Sequence, residues 1–318
     1  MLESIFALMR RWKLMKSGRH GTKPTTHKPR PSSTVAISLL AIGSITSACG
    51  ASTPHATSAT SAAKISKAIS SATTKTQAQA SEVVALTLAM KMADSPEIAL
   101  RVSGAQTHPG VTGTSRLTMT VTSPIAETLP IIGIGSTEFI TVPSSLAALV
   151  PTGVKWVSVN YTGLLQSIAA SNNPAEFAVG IATDPASFLQ LIAHSKLSDF
   201  AGGSSATING APATEFSASI AADGTPRELA SGGSFGALID SPHATLHLWV
   251  DSAGLIREIT LSGPLAIKGA SSSASPSVAI KVTFSSFGGA VSTLSPAAKT
   301  TMAQSPATIA SVLASALG

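Results

Sequence analysis

Short runs in which every second residue is apolar constrain this chain more than any other feature. The pattern occurs in EIALRVSG, RLTMTV, ATEFSASI, TLHLWVD, LIREITLSG and VAIKVTFSSF. In an extended backbone such alternation places the apolar side chains on one side. Strands of this kind, joined by turns, form an antiparallel sheet that buries only one face. The side chains that we assign to this face are Ile98, Leu100, Val102, Leu117, Met119, Val121, Phe216, Leu246, Leu248, Ile259, Ile280 and Val282.

Turn and helix signals complete an α+β pattern. Asp251-Ser252-Ala253-Gly254 predicts a tight turn between the two runs that flank it. A helix is expected from Ser81 to just before Pro96, because apolar residues there would cover most of a helix surface. Further helices are expected from Thr162 to Lys196, with a break at Asn172-Asn173-Pro174 and a second start at Asp184-Pro185, and from Pro306 to Leu317.

The helices are few, so we expect them to cover the apolar face of a curved sheet. Such a sheet either fills its concave side with side chains or leaves a cavity for an apolar ligand. Aromatic residues make up 4% of the chain, and many strand residues are small. This composition favours a cavity, which would be lined by the apolar face defined above, over a filled core.

Residues 1–48 are typical of a bacterial lipoprotein signal peptide. Thr34 to Ala48 is uncharged, mostly apolar and too short for a stable membrane-crossing helix of about 20 residues. Small residues then precede Cys49, the single cysteine of the chain, which has no disulfide or metal-site companion. We therefore predict that Cys49 carries a lipid anchor on the extracytoplasmic face of the cell membrane; a buried core cysteine is the alternative.

The basic character of the chain belongs to this leader. Of 21 Lys and Arg and 15 Asp and Glu, eight bases and one acid precede Cys49, so that 13 bases and 14 acids remain. The long basic segment leaves two start sites open, Met1 and Met15. Because the remainder is nearly neutral, no nucleic-acid partner is expected.

Residues 49–80 are rich in Ser, Thr, Ala and Lys and poor in large apolar residues. Such a segment buries too little surface to offset its ordering entropy, which predicts a flexible tether; weak helix from the alanine content is the alternative. A single folded domain is then expected over residues 81–318, which is long enough for its own core.

The order of motifs resembles a known family. VKWVSVNYTGLLQ, DPASFLQLIAHS, TINGAPATEFSASI, LHLWVDSAGLIREITLS and IKVTFSSFGGAV follow one another as in the actinobacterial lipoproteins typified by LppX and LprG, whose fold is like that of the LolA and LolB carriers. The resemblance covers roughly residues 81–291 and includes the lipidation cysteine. It implies a strongly curved antiparallel half-barrel, helices over its concave side, and a cavity that holds the acyl chains of a lipid or glycolipid carried within the cell envelope.

Enzyme and metal functions are disfavoured. Gly232-Gly233-Ser234-Phe235-Gly236 fits G-x-S-x-G, with Asp240 and His243 following, but no buried strand precedes it as a nucleophile elbow requires. His243 and His247 share a face of a predicted strand, beside Trp249, which suits a solvated surface better than a metal site. We predict no catalytic residue, no metal and no cofactor. A hydrolase using Ser234 and a structural lipoprotein with a filled core remain the alternatives.

Overall fold

The computed structural model describes residues 59–91, 96–107, 113–124, 126–169, 173–221, 244–264 and 277–317. All of them belong to one compact unit, His55–Gly318. The predicted signal peptide, Cys49, Ser234, Asp240 and His243 lie outside the described residues. None of the described helices has the length and hydropathy needed to cross a membrane.

Within these described residues, twelve strands form one sheet. Their bounds are β1 Ser81–Lys91, β2 Ile98–Thr107, β3 Thr114–Ser123, β4 Glu127–Ile134, β5 Thr137–Thr141, β6 Trp156–Asn160, β7 Lys196–Ile208, β8 Ala211–Ala221, β9 Ala244–Asp251, β10 Ile256–Pro264, β11 Ser277–Ser285 and β12 Thr301–Ala303. The helices are α1 Ala59–Gln77, α2 Tyr161–Ala169, α3 Pro174–Thr183, α4 Ser187–His194 and α5 Pro306–Leu317. Short 3-10 helices occur at Ser144–Leu149 and Ala298–Thr300.

The strand order is β12-β6-β5-β4-β3-β2-β1-β11-β10-β9-β8-β7. Every pair is antiparallel except β12 and β6, which are parallel. We call the face with the buried side chains the inner face and the opposite one the outer face. The predicted α+β class, an open curved antiparallel sheet with one buried face and a few helices, is confirmed.

The predicted helix after Ser81 is wrong, because this segment is strand β1. β1 lies between β2 and β11. Val84, Leu86, Leu88 and Met90 are buried, whereas the residues between them are exposed or partly exposed. The two-residue spacing of these four side chains decides the structure, since pairing on both sides satisfies the backbone while the inner face stays apolar.

The prediction of a flexible tether is wrong for Ala59–Gln77, which forms helix α1. Ile65, Ile69 and Ala72 are buried along one side of it. The buried hydroxyls of Thr73 and Thr76 donate to backbone carbonyls one turn earlier, at 2.9 and 2.8 Å, so their burial leaves no polar hydrogen unsatisfied. A narrow apolar stripe within a polar composition is enough to dock the helix, and the folded domain therefore includes α1.

The central helical block is confirmed, with three helices instead of two. Asn173 caps α3 by accepting a hydrogen bond from the Ala175 amide at 2.9 Å. Asp184-Pro185 forms the turn between α3 and α4, and its Asp184 carbonyl accepts a bond from the Ser187 amide. The final helix from Pro306 to Leu317 is confirmed at the predicted bounds.

The β9–β10 hairpin is confirmed, with a bulge that changes one side chain's face. Asp251 Oδ1 accepts bonds from the amides of Ala253 and Leu255, both at 2.9 Å, and Gly254 takes a φ of 78°. The register then shifts between Ile256 and Glu258. The bulge adds one residue between Ile256 and Ile259, so that Ile256 shares the buried face with Ile259, whereas strict alternation back from Ile259 would have buried Leu255.

Candidate functional site

The predicted ligand-binding side chains lie together on the inner face. All of them except Phe216 are at most 3% exposed and belong to one hydrophobic core; Phe216 is partly buried and packs against that core. Whether this face can also open to hold a ligand stays a prediction.

Strand register arranges these side chains in two adjacent rows across the sheet. The first, the Phe216 row, joins paired residues on eight neighbouring strands: Phe216, Leu248, Ile259, Val282, Leu86, Val102, Met119 and Leu129. The second, the Leu246 row, joins Leu246, Leu261, Ile280, Leu88, Leu100 and Val121. Leu117 and Ile98 belong to the flanking rows, beside Ile131 and Met90 respectively. Residues distant in sequence thus form one continuous apolar surface.

Helices cover this surface from two sides. Helix α1 contacts β7 and β10, and helix α3 contacts β2. Helices α2, α3 and α5 also pack against one another. A hydrogen bond between the backbone of β10 and a side chain of α1 holds this helix on the sheet, because the buried Ile256 amide donates to Thr76 Oγ1 at 2.8 Å. Any ligand that reaches the rows must therefore separate helices from the sheet.

One row of the inner face is polar. Register places Glu82, Gln106, Ser115, Gly133 and Glu138 side by side on β1 to β5, next to the row that contains Leu117. We call these five residues the polar row. The Gln106 Nε2 donates to Glu82 Oε1 at 2.9 Å. Ser115 Oγ lies so close above Gly133 that a Cβ at position 133 would collide with it.

Glu138 is an ionisable group of the row with a strongly shifted pKa. Its side chain is buried, and its Oε2 has no hydrogen-bond partner. Burial raises the pKa of Glu138 to about 8, and the negative charge of Asp184 adds to the rise. The carboxyl is therefore mostly protonated at neutral pH and able to donate as well as accept.

Tyr161 and Asp184 lie beside this group. Tyr161 is the first residue of α2 and follows the end of β6, and its hydroxyl donates to Asp184 Oδ2 at 2.6 Å. Burial raises the pKa of Tyr161 well above 10.0, and the charge of Asp184 and this hydrogen bond raise it further. Tyr161 consequently remains a neutral donor that holds the end of α3 over the polar row.

A second polar cluster lies on the outer face. His247 Nδ1 is 2.7 Å from Glu215 Oε1, and Ser204 Oγ donates to Glu215 Oε2 at 2.8 Å. The bonds from Ser204 and then His247 lower the pKa of Glu215. The His247 ring stacks on Trp249, with centroids 5.9 Å apart. Ser204 and His247 bind the same carboxylate and not each other, so this cluster lacks the nucleophile-to-base bond of a hydrolase.

The segment Gly202-Gly203-Ser204 lies within strand β7, although glycines of this kind are typical of turns. In the described ranges, no three His, Cys, Asp or Glu side chains lie close enough to hold a metal ion.

The polar row was not identified from the sequence, although one signal was available. In TEFITV, Glu138 and Ile140 fall on the same side of the strand, and Ile140 is fully buried. A charged residue at a core position of an alternating run marks a special site. The contribution of Glu82 could not be found in this way, because its segment was assigned to a helix.

Two comparisons find nothing similar. No protein-family model matches the chain, and no curated protein matches it.

Solved structures do show likenesses. LprF from Mycobacterium bovis is 13% identical, with 74% of this chain and 98% of that chain covered and a TM-score of 0.42. The lipoprotein LppX from Mycobacterium tuberculosis is 13% identical over 72% of this chain and 98% of that one, with a TM-score of 0.40. A LolA superfamily protein from Nitrosomonas europaea is 10% identical over 71% and 92%, with a TM-score of 0.27.

Proposed function

We propose that this protein is a membrane-anchored, extracytoplasmic lipoprotein that binds a lipid or glycolipid against its inner face and carries it within the cell envelope. The observation that carries the proposal is the pair of apolar rows: the Phe216 row spans the strands from β8 to β4, and the Leu246 row those from β9 to β3, without a charged residue in either. A surface so long and so uniformly apolar suits acyl chains.

The mechanism is physical transfer and needs no catalytic residue. Each methylene group moved from water to an apolar surface contributes roughly 0.8 kcal/mol, so a long acyl chain is held with few polar contacts. Uptake requires the helices to move off the rows. The cover is suited to this, because α2 to α5 are 8 to 12 residues long and contact the sheet less extensively than neighbouring strands contact each other.

The nearly complete burial of the inner-face side chains favours a second candidate. This is a structural lipoprotein that recruits an envelope partner and has a core filled by its own side chains. The two candidates differ in bound lipid. We would express the full chain in an actinobacterial host, extract it with a dialysable detergent, and record native mass spectra before and after adding a fluorescent long-chain lipid. A discrete co-purified lipid or saturable uptake supports the carrier, and an apo mass without uptake supports the filled core.

Paired variants on β11 locate the binding face. Ile280→Asp puts a charge on the Leu246 row, whereas Ala279→Asp puts the same charge on the exposed side of the same strand. We expect lipid uptake to be lost only in Ile280→Asp. Circular dichroism establishes that both variants are folded. Equal uptake by two folded variants would contradict the assignment of this face.

The anchor is tested separately at Cys49. We expect the wild-type protein to fractionate with membranes and to incorporate labelled palmitate, and Cys49→Ser to lose the label because no other thiol exists in the chain. A labelled Cys49→Ser protein would contradict the proposal.

A further inference from the structure

The polar row crosses the inner face at a defined place. It runs across the end of the sheet where β1, β3 and β5 begin and where β2 and β4 end. Helix α2 starts at this end, directly after β6. A ligand whose chains lie along the apolar rows would therefore meet a continuous row of polar side chains at this end. At the other end the Leu246 row meets a single polar side chain, the partly exposed Glu127 on β4.

Glu138 is the residue that points to a ligand. The side chain is 4% exposed, and Oε2 makes no hydrogen bond in the structure. Burying an unsatisfied polar atom is unfavourable, and such atoms occur where a partner binds. Within the row, Ser115 and Glu138 lie on either side of Gly133. Because Gly133 has no side chain, the Ser115 hydroxyl can lie over β4.

We propose that the polar row binds the hydroxyl groups of a neutral headgroup, such as a glycerol or a sugar, at the end of the lipid-binding face. The inference rests on the proposed carrier function and adds the class of headgroup. Glu138 and Ser115 are the main contacts of this headgroup, and Gln106, which is hydrogen-bonded to Glu82, lies next to them.

The chemistry of the row selects hydroxyl groups. A hydroxyl both donates and accepts, and it matches side chains that do the same: the serine, the amide and a protonated carboxyl. The five residues of the row include no Lys or Arg to neutralise an anionic headgroup, and the charge of Asp184 beside Glu138 repels one. A cationic headgroup would be attracted by Asp184, which already accepts a hydrogen bond from Tyr161, but a direct ion pair with Glu138 would need that carboxyl ionised, which burial disfavours.

Three probes with the same acyl chain separate these cases. Monopalmitoylglycerol carries two free hydroxyls, methyl palmitate carries none, and palmitoylcholine carries a cation. Affinities are measured by displacement of a fluorescent fatty acid from the full chain after detergent removal. We expect wild-type protein to bind monopalmitoylglycerol about tenfold more tightly than methyl palmitate, the equivalent of one satisfied hydrogen bond.

Two variants and a control assign the preference to Glu138. Glu138→Leu should abolish the preference for monopalmitoylglycerol over methyl palmitate. Glu138→Gln, which still donates and accepts, should keep most of it. Val159→Leu, at the neighbouring position on β6, alters packing without altering polarity and should keep it fully.

Each outcome is informative. Equal wild-type affinity for monopalmitoylglycerol and methyl palmitate overturns the inference without any variant, and so does a preference that survives Glu138→Leu. Tightest binding of palmitoylcholine, lost in Glu138→Gln, would overturn it in favour of a cation site. Failure of the wild-type protein to bind methyl palmitate at all would contradict the carrier function itself.

Discussion

At the scale of single residues, Glu138 makes stability depend on pH. Its pKa is about 8 in the folded protein and 4.5 ordinarily. Between these values the folded state binds more protons than the unfolded state, so the stabilising contribution is complete below pH 4.5 and is lost as the pH rises through 8. Each unit of pKa difference corresponds to about 1.4 kcal/mol.

We therefore expect the free energy of unfolding to fall between pH 5 and pH 8.5, and Glu138→Gln to flatten this slope because glutamine does not titrate. Urea denaturation of both proteins at the two pH values measures the difference. Parallel slopes in the two proteins would show that Glu138 is not the group responsible.

Gly104 is a position at which the backbone requires glycine. It has a φ of 157°, and a Cβ there would collide with the backbone carbonyl of Arg116 on β3. Gly104→Ala should destabilise the protein by about 2 kcal/mol or more, because neither backbone can move without breaking the β2–β3 pairing. Gly202→Ala is the matched control, since its nearest contact would be an ordinary 3.7 Å to Ile65. Similar denaturation midpoints for the two variants would contradict this account.

At the scale of elements, helix α1 is an integral part of the domain. We expect Ile69→Ala to cost about 2–4 kcal/mol, as buried large-to-small changes do, because Ile69 is only 2% exposed. Ser66→Ala, on the exposed side of the same helix, should be nearly neutral. Thermal and urea denaturation measure both. A near-neutral Ile69→Ala would restore the tether interpretation for this segment.

The elements also show what alternation can and cannot predict. Strands with one clean apolar side, such as those carrying Leu117 or Ile280, were identified from the sequence. β1 was not, because Val83, Ala85 and Ala89 make both of its sides apolar enough to fit a helix. β7 was not predicted as a strand either, since Gly202 and Gly203 are typical of turns, yet its bulges accommodate them at the sheet edge.

Prediction of the candidate site was limited in the same way. Periodicity assigns a residue to a face, and it correctly grouped the apolar side chains that the register joins in rows. Periodicity does not give register, so Glu82 and Glu138, which lie on strands separated by three others, could not be placed in one row.

At the scale of the whole molecule, lipid binding should replace the helices that cover the apolar rows with the acyl chains of the ligand. The contacts that α3 makes with β2, and α1 with β7, in the ligand-free protein would be replaced by contacts with acyl chains. A ligand that binds only the folded state at 100 times its Kd raises the free energy of unfolding by about 2.7 kcal/mol. Stability of the sheet should therefore rise while the helices loosen.

Amide hydrogen exchange with and without monopalmitoylglycerol tests whether the lipid displaces the helices. We expect amides of the central strands β1 and β2 to become more protected, because they open only on global unfolding, and amides of α3 to become less protected. A lipid adsorbed elsewhere on the surface would leave α3 unchanged. A protein with a filled core would show neither response, since no ligand would then bind the folded state and displace the helices from the apolar rows.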